Sequence, residues 1–124
     1  MRIFKNKAFI RFARKERMKD AALGDAIERA ERGLIDAVLG GGVIKQRIAR
    51  PGSGKSGGYR TIILFRTKKL AFFVHGFAKN EQDNIDDEEL AAFKMLADEM
   101  LAYDDKALAK AMANGTLTEV TGDD

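Results

Sequence analysis

The hydrophobic period of this chain changes twice, and that change decides what it can fold into. Before Gly40 and after Asp86, apolar residues recur every three or four positions, as one face of a helix requires. From Val43 to Phe77 they alternate, as strands with one face on a core require. Asn6 is placed to cap a helix over roughly Lys7–Met18, with Phe9, Phe12 and Ala13 on one side. Asp20 is a second cap candidate, ahead of a stripe of Leu23, Ile27, Ala30 and Leu34. Gly40-Gly41-Gly42 ends that region, because three glycines neither propagate a helix nor pack one. Strands are expected at Val43–Arg50, Tyr59–Arg66 and Leu70–Phe77. The last two should be antiparallel neighbours across a tight Thr67-Lys68-Lys69 connection. Leu90, Phe93, Ala97, Met100 and Leu101 form a later helical stripe, with Asp86–Glu89 at the positive end of its dipole. A short helix from Asp104 or Asp105 to Ala113 should stop at Asn114-Gly115. Arg2–Lys5 and Thr116–Val120 are β-prone and suit sheet edges.

A chain of 124 residues with 45% hydrophobic content is one domain that buries about two-thirds of its unfolded surface. It has no cysteine, which excludes disulfides, thiolate metal ligands and a cysteine nucleophile. The apolar runs fall far short of the ~18 residues of a membrane span, and Met-Arg-Ile-Phe-Lys lacks the apolar core of a signal peptide, so a cytoplasmic location is expected. The net charge of +3 conceals an asymmetry: residues 1–80 carry 19 Lys and Arg against 6 Asp and Glu, residues 81–124 carry 3 against 13. The basic part suits a polyanion such as nucleic acid. The acidic part is read most simply as solvated helix surface.

The basic charge concentrates around one Gly-rich turn, where Lys45, Arg47, Arg50, Lys55 and Arg60 flank Pro51-Gly-Ser-Gly54. Alternation puts Lys45 and Arg47 on one strand face, and arginine at such a place can bind phosphate through two parallel hydrogen bonds. The alternative is an ordinary basic strand surface. Gly52-Ser-Gly-Lys-Ser56 looks like the end of a nucleotide-binding P-loop but fails on spacing, because the first glycine position holds Ala49 and a strand follows where a helix is needed. Tyr59, His75 and Phe77 are possible stacking platforms for unpaired bases. Alternation groups Tyr59 with Ile63 and Phe65, which favours core. His75 is the sole histidine and a candidate general acid or base, without a second histidine or a cysteine to share a metal.

The strings R-I-A-R-P-G-S-G-K-S-G-G-Y-R-T and F-F-V-H-G-F-A-K-N-E-Q-D-N-I resemble the RelE-type toxins of bacterial toxin–antitoxin pairs, in particular the HigB-like subgroup of the RelE/ParE superfamily. The resemblance implies an α+β fold: a small twisted antiparallel sheet of about four to five strands, with two N-terminal helices and C-terminal helices packed around it. It implies no cofactor, cleavage of messenger RNA commonly in the ribosomal A site, and restraint by a cognate antitoxin, here expected to carry a helix-turn-helix domain. Carried over by position, Arg60 matches the arginine that binds the reacting phosphate. Lys45 and Arg47 fall where the family has basic residues, and Lys79 matches the lysine after the last central strand. Asn80 stands where better-known members have a second arginine, and His75 where close relatives often have tyrosine. The candidate catalytic set is therefore Arg60, Lys45, Arg47, Lys79 and His75, with Arg50, Lys55, Phe77 and Asn80 as RNA-binding candidates. Two other functions use the same scaffold: a ParE-like inhibitor of DNA gyrase, and a member that only binds nucleic acid or its partner.

Overall fold

The computed structural model describes residues 1–50, 54–79, 82 and 84–121, and the side chains of residues 54–57 lie outside that description. In chain order the elements are β1 (Arg2–Asn6), α1 (Lys7–Lys15), α2 (Asp20–Glu31), β2 (Ala37–Gly40), β3 (Val43–Arg50), β4 (Gly54–Arg66), β5 (Leu70–Ala78), α3 (Asp87–Met100), α4 (Asp105–Ala113) and β6 (Leu117–Glu119). The class is α+β. Among the described residues the sheet has six strands in the order β2-β3-β4-β5-β1-β6. β2 to β5 form an antiparallel meander, β1 lies parallel to β5, and β6 lies antiparallel to β1.

Each sheet face carries its own core. Phe9, Leu23, Ile27, Ile44, Ile63 and Phe73 join α1 and α2 to one face. Phe4, Val43, Ile62, Leu64, Phe72 and Phe77 join α3 and α4 to the other. The alternation seen in β3 and β4 is the sequence signature of this two-sided burial.

The caps follow the side-chain chemistry in most places. Asn6 accepts a hydrogen bond from the Phe9 N–H, Asp86 and Glu89 form a reciprocal capping box, and Asp104 caps α4, which Asn114 and Gly115 end. The Thr67–Lys69 connection closes with Lys69 N–H donating to the Arg66 carbonyl at 3.0 Å. β6 is an edge strand, as its composition suggests.

Four expectations are corrected. Arg2–Lys5 lies inside the sheet, because β6 covers its outer side. Asp20 begins α2 without capping it, since its carboxylate instead binds the Lys5 ammonium at 2.8 Å. α1 stops at Lys15, short of Met18: Arg17 turns to φ 56°, Arg17 N–H donates to the Arg14 carbonyl and Met18 N–H to the Ala13 carbonyl. Leu34 leaves the apolar stripe and is 57% exposed, because Gly33 at φ 82° ends α2 with the same pair of bonds. The three glycines that close the N-terminal region are the turn of a β2–β3 hairpin, with φ of 90°, 61° and 85°.

Candidate functional site

The register of the meander builds a cationic row. Arg47 on β3 is the partner of Arg60 on β4, which is the partner of Phe77 on β5; the next row is Lys45, Ile62 and His75. All six belong to the sheet face that α3 covers further along. Lys45 is half-buried and Arg47 exposed. Arg60 is only 7% exposed, and its Nη1 has no hydrogen-bond partner among the described residues. Two guanidiniums directly opposite each other in a sheet repel. No described carboxylate lies within ion-pair distance of Lys45, Arg47, Arg60 or Lys79. Among the described residues the row is therefore a concentration of uncompensated positive charge, with one buried donor that has no acceptor.

His75 joins this face through a β-bulge. Pairing passes from Ile62 with His75 to Ile63 with Phe73, which leaves Val74 without a partner on β4. Val74 then lies in the α3-side core while His75 packs its ring against Phe77 at 5.6 Å and Phe93 at 5.7 Å. Gln82 Nε2 donates to the Asn84 carbonyl at 2.8 Å and to Glu89 Oε1 at 3.2 Å, so it is Gln82 Oε1 that sits 3.4 Å from His75 Nε2. That assigns the proton to Nε2 and leaves Nδ1 of the neutral ring as a proton acceptor. Asn84 also accepts from Lys45 Nζ at 3.4 Å.

The β3 strand is held rigidly behind Arg47. Gln46 is fully buried on the opposite face, donating to the Ala26 and Leu34 carbonyls and accepting from the Asp36 N–H. The outward backbone groups of Arg47 are both engaged, its N–H by the Asp36 carboxylate at 2.6 Å and its carbonyl by the Arg29 guanidinium at 2.8 Å. Gly58, just before Arg60, is obligatory: a Cβ there would lie 2.3 Å from the Ile48 carbonyl oxygen.

Of the residues selected from sequence, Arg60, Arg47, Lys45 and His75 come together. Lys79 directly follows β5 and is exposed. Arg50 does not join them. It lies on the α1 side, where its Nε donates to the Tyr59 hydroxyl at 3.0 Å, its guanidinium sits 5.1 Å over the Tyr59 ring, and Glu16 is 3.5 Å away. The Tyr59 hydrogen bond, aided by the Glu16 charge, raises the Arg50 pKa. The physical reason is parity: Arg50 is an odd number of residues from Lys45 and Arg47, so a strand turns it the other way. Phe77, expected to stack on bases, is 3% exposed and forms part of the core under the row. Tyr59, also 3% exposed, is core with its hydroxyl donating to Glu16 at 2.8 Å. The Lys55 side chain and Asn80 lie outside the described residues.

Sequence reasoning missed Gln82, Asn84 and the Gln46 staple. Gln46 had a signal, being polar at a position where alternation points into a core. Gln82 and Asn84 had none, because they sit in a connection without period. Among the described residues there is no cluster of three or more histidine and carboxylate groups that could hold a metal, and no helix long and apolar enough to cross a membrane.

No curated protein matches the chain. A family model described as the RelE toxin of the RelE/RelB toxin–antitoxin system matches residues 1–120. That span takes in every strand and helix, the cationic row and the loop that holds His75, and the chain therefore belongs to the RelE toxin family.

Proposed function

We propose that this toxin is an endoribonuclease that cuts messenger RNA, at the ribosome, by attack of a ribose 2′-hydroxyl on the neighbouring phosphate. The observation that carries the proposal is the Arg47–Arg60 cross-strand pair, with Arg60 buried and its Nη1 unpartnered among the described residues. A phosphodiester seated over that pair relieves their repulsion and can accept hydrogen bonds from both guanidiniums. In the reaction the 2′-oxygen bonds to phosphorus, the 5′-oxygen leaves, and the two non-bridging oxygens gain charge in between. Donors already fixed by a sheet stabilise that charge without reorganising. His75 Nδ1 is the acceptor we assign to the 2′-hydroxyl proton. Lys45, one row from the arginines, is the donor we assign to the departing 5′-oxygen, and Lys79 holds the backbone of the RNA on the open side.

The partner implied by the family is its antitoxin; that it carries a helix-turn-helix domain, and that the toxin is HigB-like, are part of the same proposal. The test is expression of wild type and Arg60→Ala in a bacterium with mapping of RNA 5′ ends. Discrete cuts in translated messages by the wild type, absent in the variant along with growth arrest, are expected. DNA damage with intact RNA would replace the proposal with gyrase poisoning, and a fully toxic Arg60→Ala would remove Arg60 from the site.

A further inference from the structure

The orientation of His75 is tied to the first turn of α3 by a chain of hydrogen bonds. Gln82 is held at three points: its N–H donates to the Ala78 carbonyl at 3.2 Å, at the end of the strand that carries His75, and its Nε2 donates to the Asn84 carbonyl at 2.8 Å and to Glu89 Oε1 at 3.2 Å. Both amide protons are then used. Turning the amide over would set its oxygen against a carbonyl and a carboxylate, neither with a hydrogen to give, so Oε1 stays toward His75 Nε2, 3.4 Å away. That distance is long for a hydrogen bond, as those of catalytic groups often are before substrate binds. Glu89 is itself fixed. The same Oε1 accepts from the Asp86 N–H at 3.0 Å, while the Glu89 N–H donates to Asp86 Oδ1 at 2.8 Å. A capping box needs only that Asp86–Glu89 exchange; the bond to Gln82 is additional. His75, Gln82 and Glu89 are all half-buried, and Phe77 and Phe93 flank the ring.

We propose that Glu89 is a positioning residue for His75: acting through Gln82, the α3 capping box holds the imidazole with its proton on Nε2 and leaves Nδ1 free to take the ribose 2′-hydroxyl proton. Gln82 alone specifies neither tautomer, because an amide donates at one end and accepts at the other. The acceptor-only carboxylate behind it decides which end faces the ring. Glu89 thus does for His75, one amide further out, what the buried carboxylate of a hydrolytic triad does for its histidine. When the 2′-hydroxyl gives up its proton, Nδ1 gains a hydrogen and Nε2 keeps its own. Gln82 Oε1 remains an acceptor throughout, and no group has to turn. The catalytic consequence rests on the nuclease proposal; the orientation of the ring does not.

The test reads the ring directly, because the chain has a single histidine. Full-length, ¹⁵N-labelled chain carrying Arg60→Ala, so that growth arrest does not limit expression, is held at about pH 8.5, roughly two units above the ordinary histidine pKa. Long-range ¹H–¹⁵N correlations then report which ring nitrogen bears the proton. One neutral form is expected, with two well-separated nitrogen shifts and the proton on Nε2. Gln82→Leu and Glu89→Ala should each bring the two shifts closer together as the tautomers mix. Asp86→Ala removes the side-chain half of the cap and loosens α3 but leaves Gln82 and Glu89 in contact, so it should keep the parent shifts. Glu89→Gln should keep them too, since it still offers an oxygen to the Asp86 N–H. A proton on Nδ1 in the parent, shifts unchanged in both Gln82→Leu and Glu89→Ala, or shifts that collapse equally in Asp86→Ala would overturn the assignment. In the active chain Gln82→Leu and Glu89→Ala should lower kcat for RNA cleavage by about 10–100-fold with KM little changed, and an unchanged kcat would remove the positioning role. If the ring behaves as expected but the wild type cuts no RNA, the nuclease proposal falls and the orientation of His75 by Glu89 stands.

Discussion

Arg60→Met should make the protein more stable and leave it inactive. Arg60 is 7% exposed and its Nη1 lacks a partner among the described residues. A buried donor without an acceptor costs about 1–3 kcal/mol, and more when it carries charge. The guanidinium also faces Arg47 directly across the ladder, which adds roughly 0.2–1 kcal/mol of repulsion. Methionine keeps an unbranched stem of similar reach on the same face as Ile62 and Leu64 and removes the charge. Allowing for packing lost with the guanidinium plane, the net gain is about 1–3 kcal/mol. For a domain of this size 1 kcal/mol moves Tm by about 3–5 °C, so Tm should rise by about 3–15 °C. The assay is thermal unfolding of both proteins with and without inorganic phosphate. Phosphate at ten times its Kd stabilises a protein by about 1.4 kcal/mol, and only the wild type should show this. A lower Tm for Arg60→Met would identify the guanidinium as a net stabiliser of the fold. Equal phosphate responses would place the anion elsewhere. Either result refutes the picture of Arg60 as the phosphate holder.

Other substitutions probe separate links. His75→Gln should lower RNA cleavage by about 10²–10⁴-fold with an unchanged spectrum, the usual worth of a positioned proton acceptor; a loss below tenfold would show that His75 only packs. Gly76→Ala puts a Cβ 2.4 Å from the Phe12 ring, so it should cost about 1–3 kcal/mol in urea unfolding, and Phe12→Leu in the same chain should recover part of that. Arg17→Gly removes a non-glycine residue from φ 56° and should gain about 1 kcal/mol by the same measurement; a loss would mean that the Arg17 side chain repays its strain. Glu119 has its pKa lowered chiefly by the hydrogen bond from Arg2 at 2.9 Å. The stability this adds is present above the ordinary carboxylate value of 4.5 and is lost as pH falls through the depressed folded value. Glu119→Gln should therefore lower stability by ~0.2–1 kcal/mol at neutral pH, the pair being partly exposed, and narrow to no difference in acid; an offset constant with pH would show that the pair is not the cause.

The order of elements was legible in the chain because each rests on local chemistry. Asn6, Asp86 and Asp104 satisfy helix N-termini with their own side chains, and the period of two in β3 and β4 records burial on alternate faces. Alternation likewise sufficed to put Lys45 with Arg47 and, had parity been followed, to set Arg50 apart. What sequence could not supply were relations between distant strands. Nothing local says that β1 slips in parallel beside β5, that Arg47 meets Arg60 instead of a neighbour two residues away, or that a bulge at Val74 turns His75 toward the cations. Register is a choice made by the whole sheet, since shifting one strand by one residue moves every one of its side chains to the opposite face. The residue types capable of holding a phosphate are therefore written in the chain, while their convergence is decided by pairing across the sheet and by the two cores that lock it.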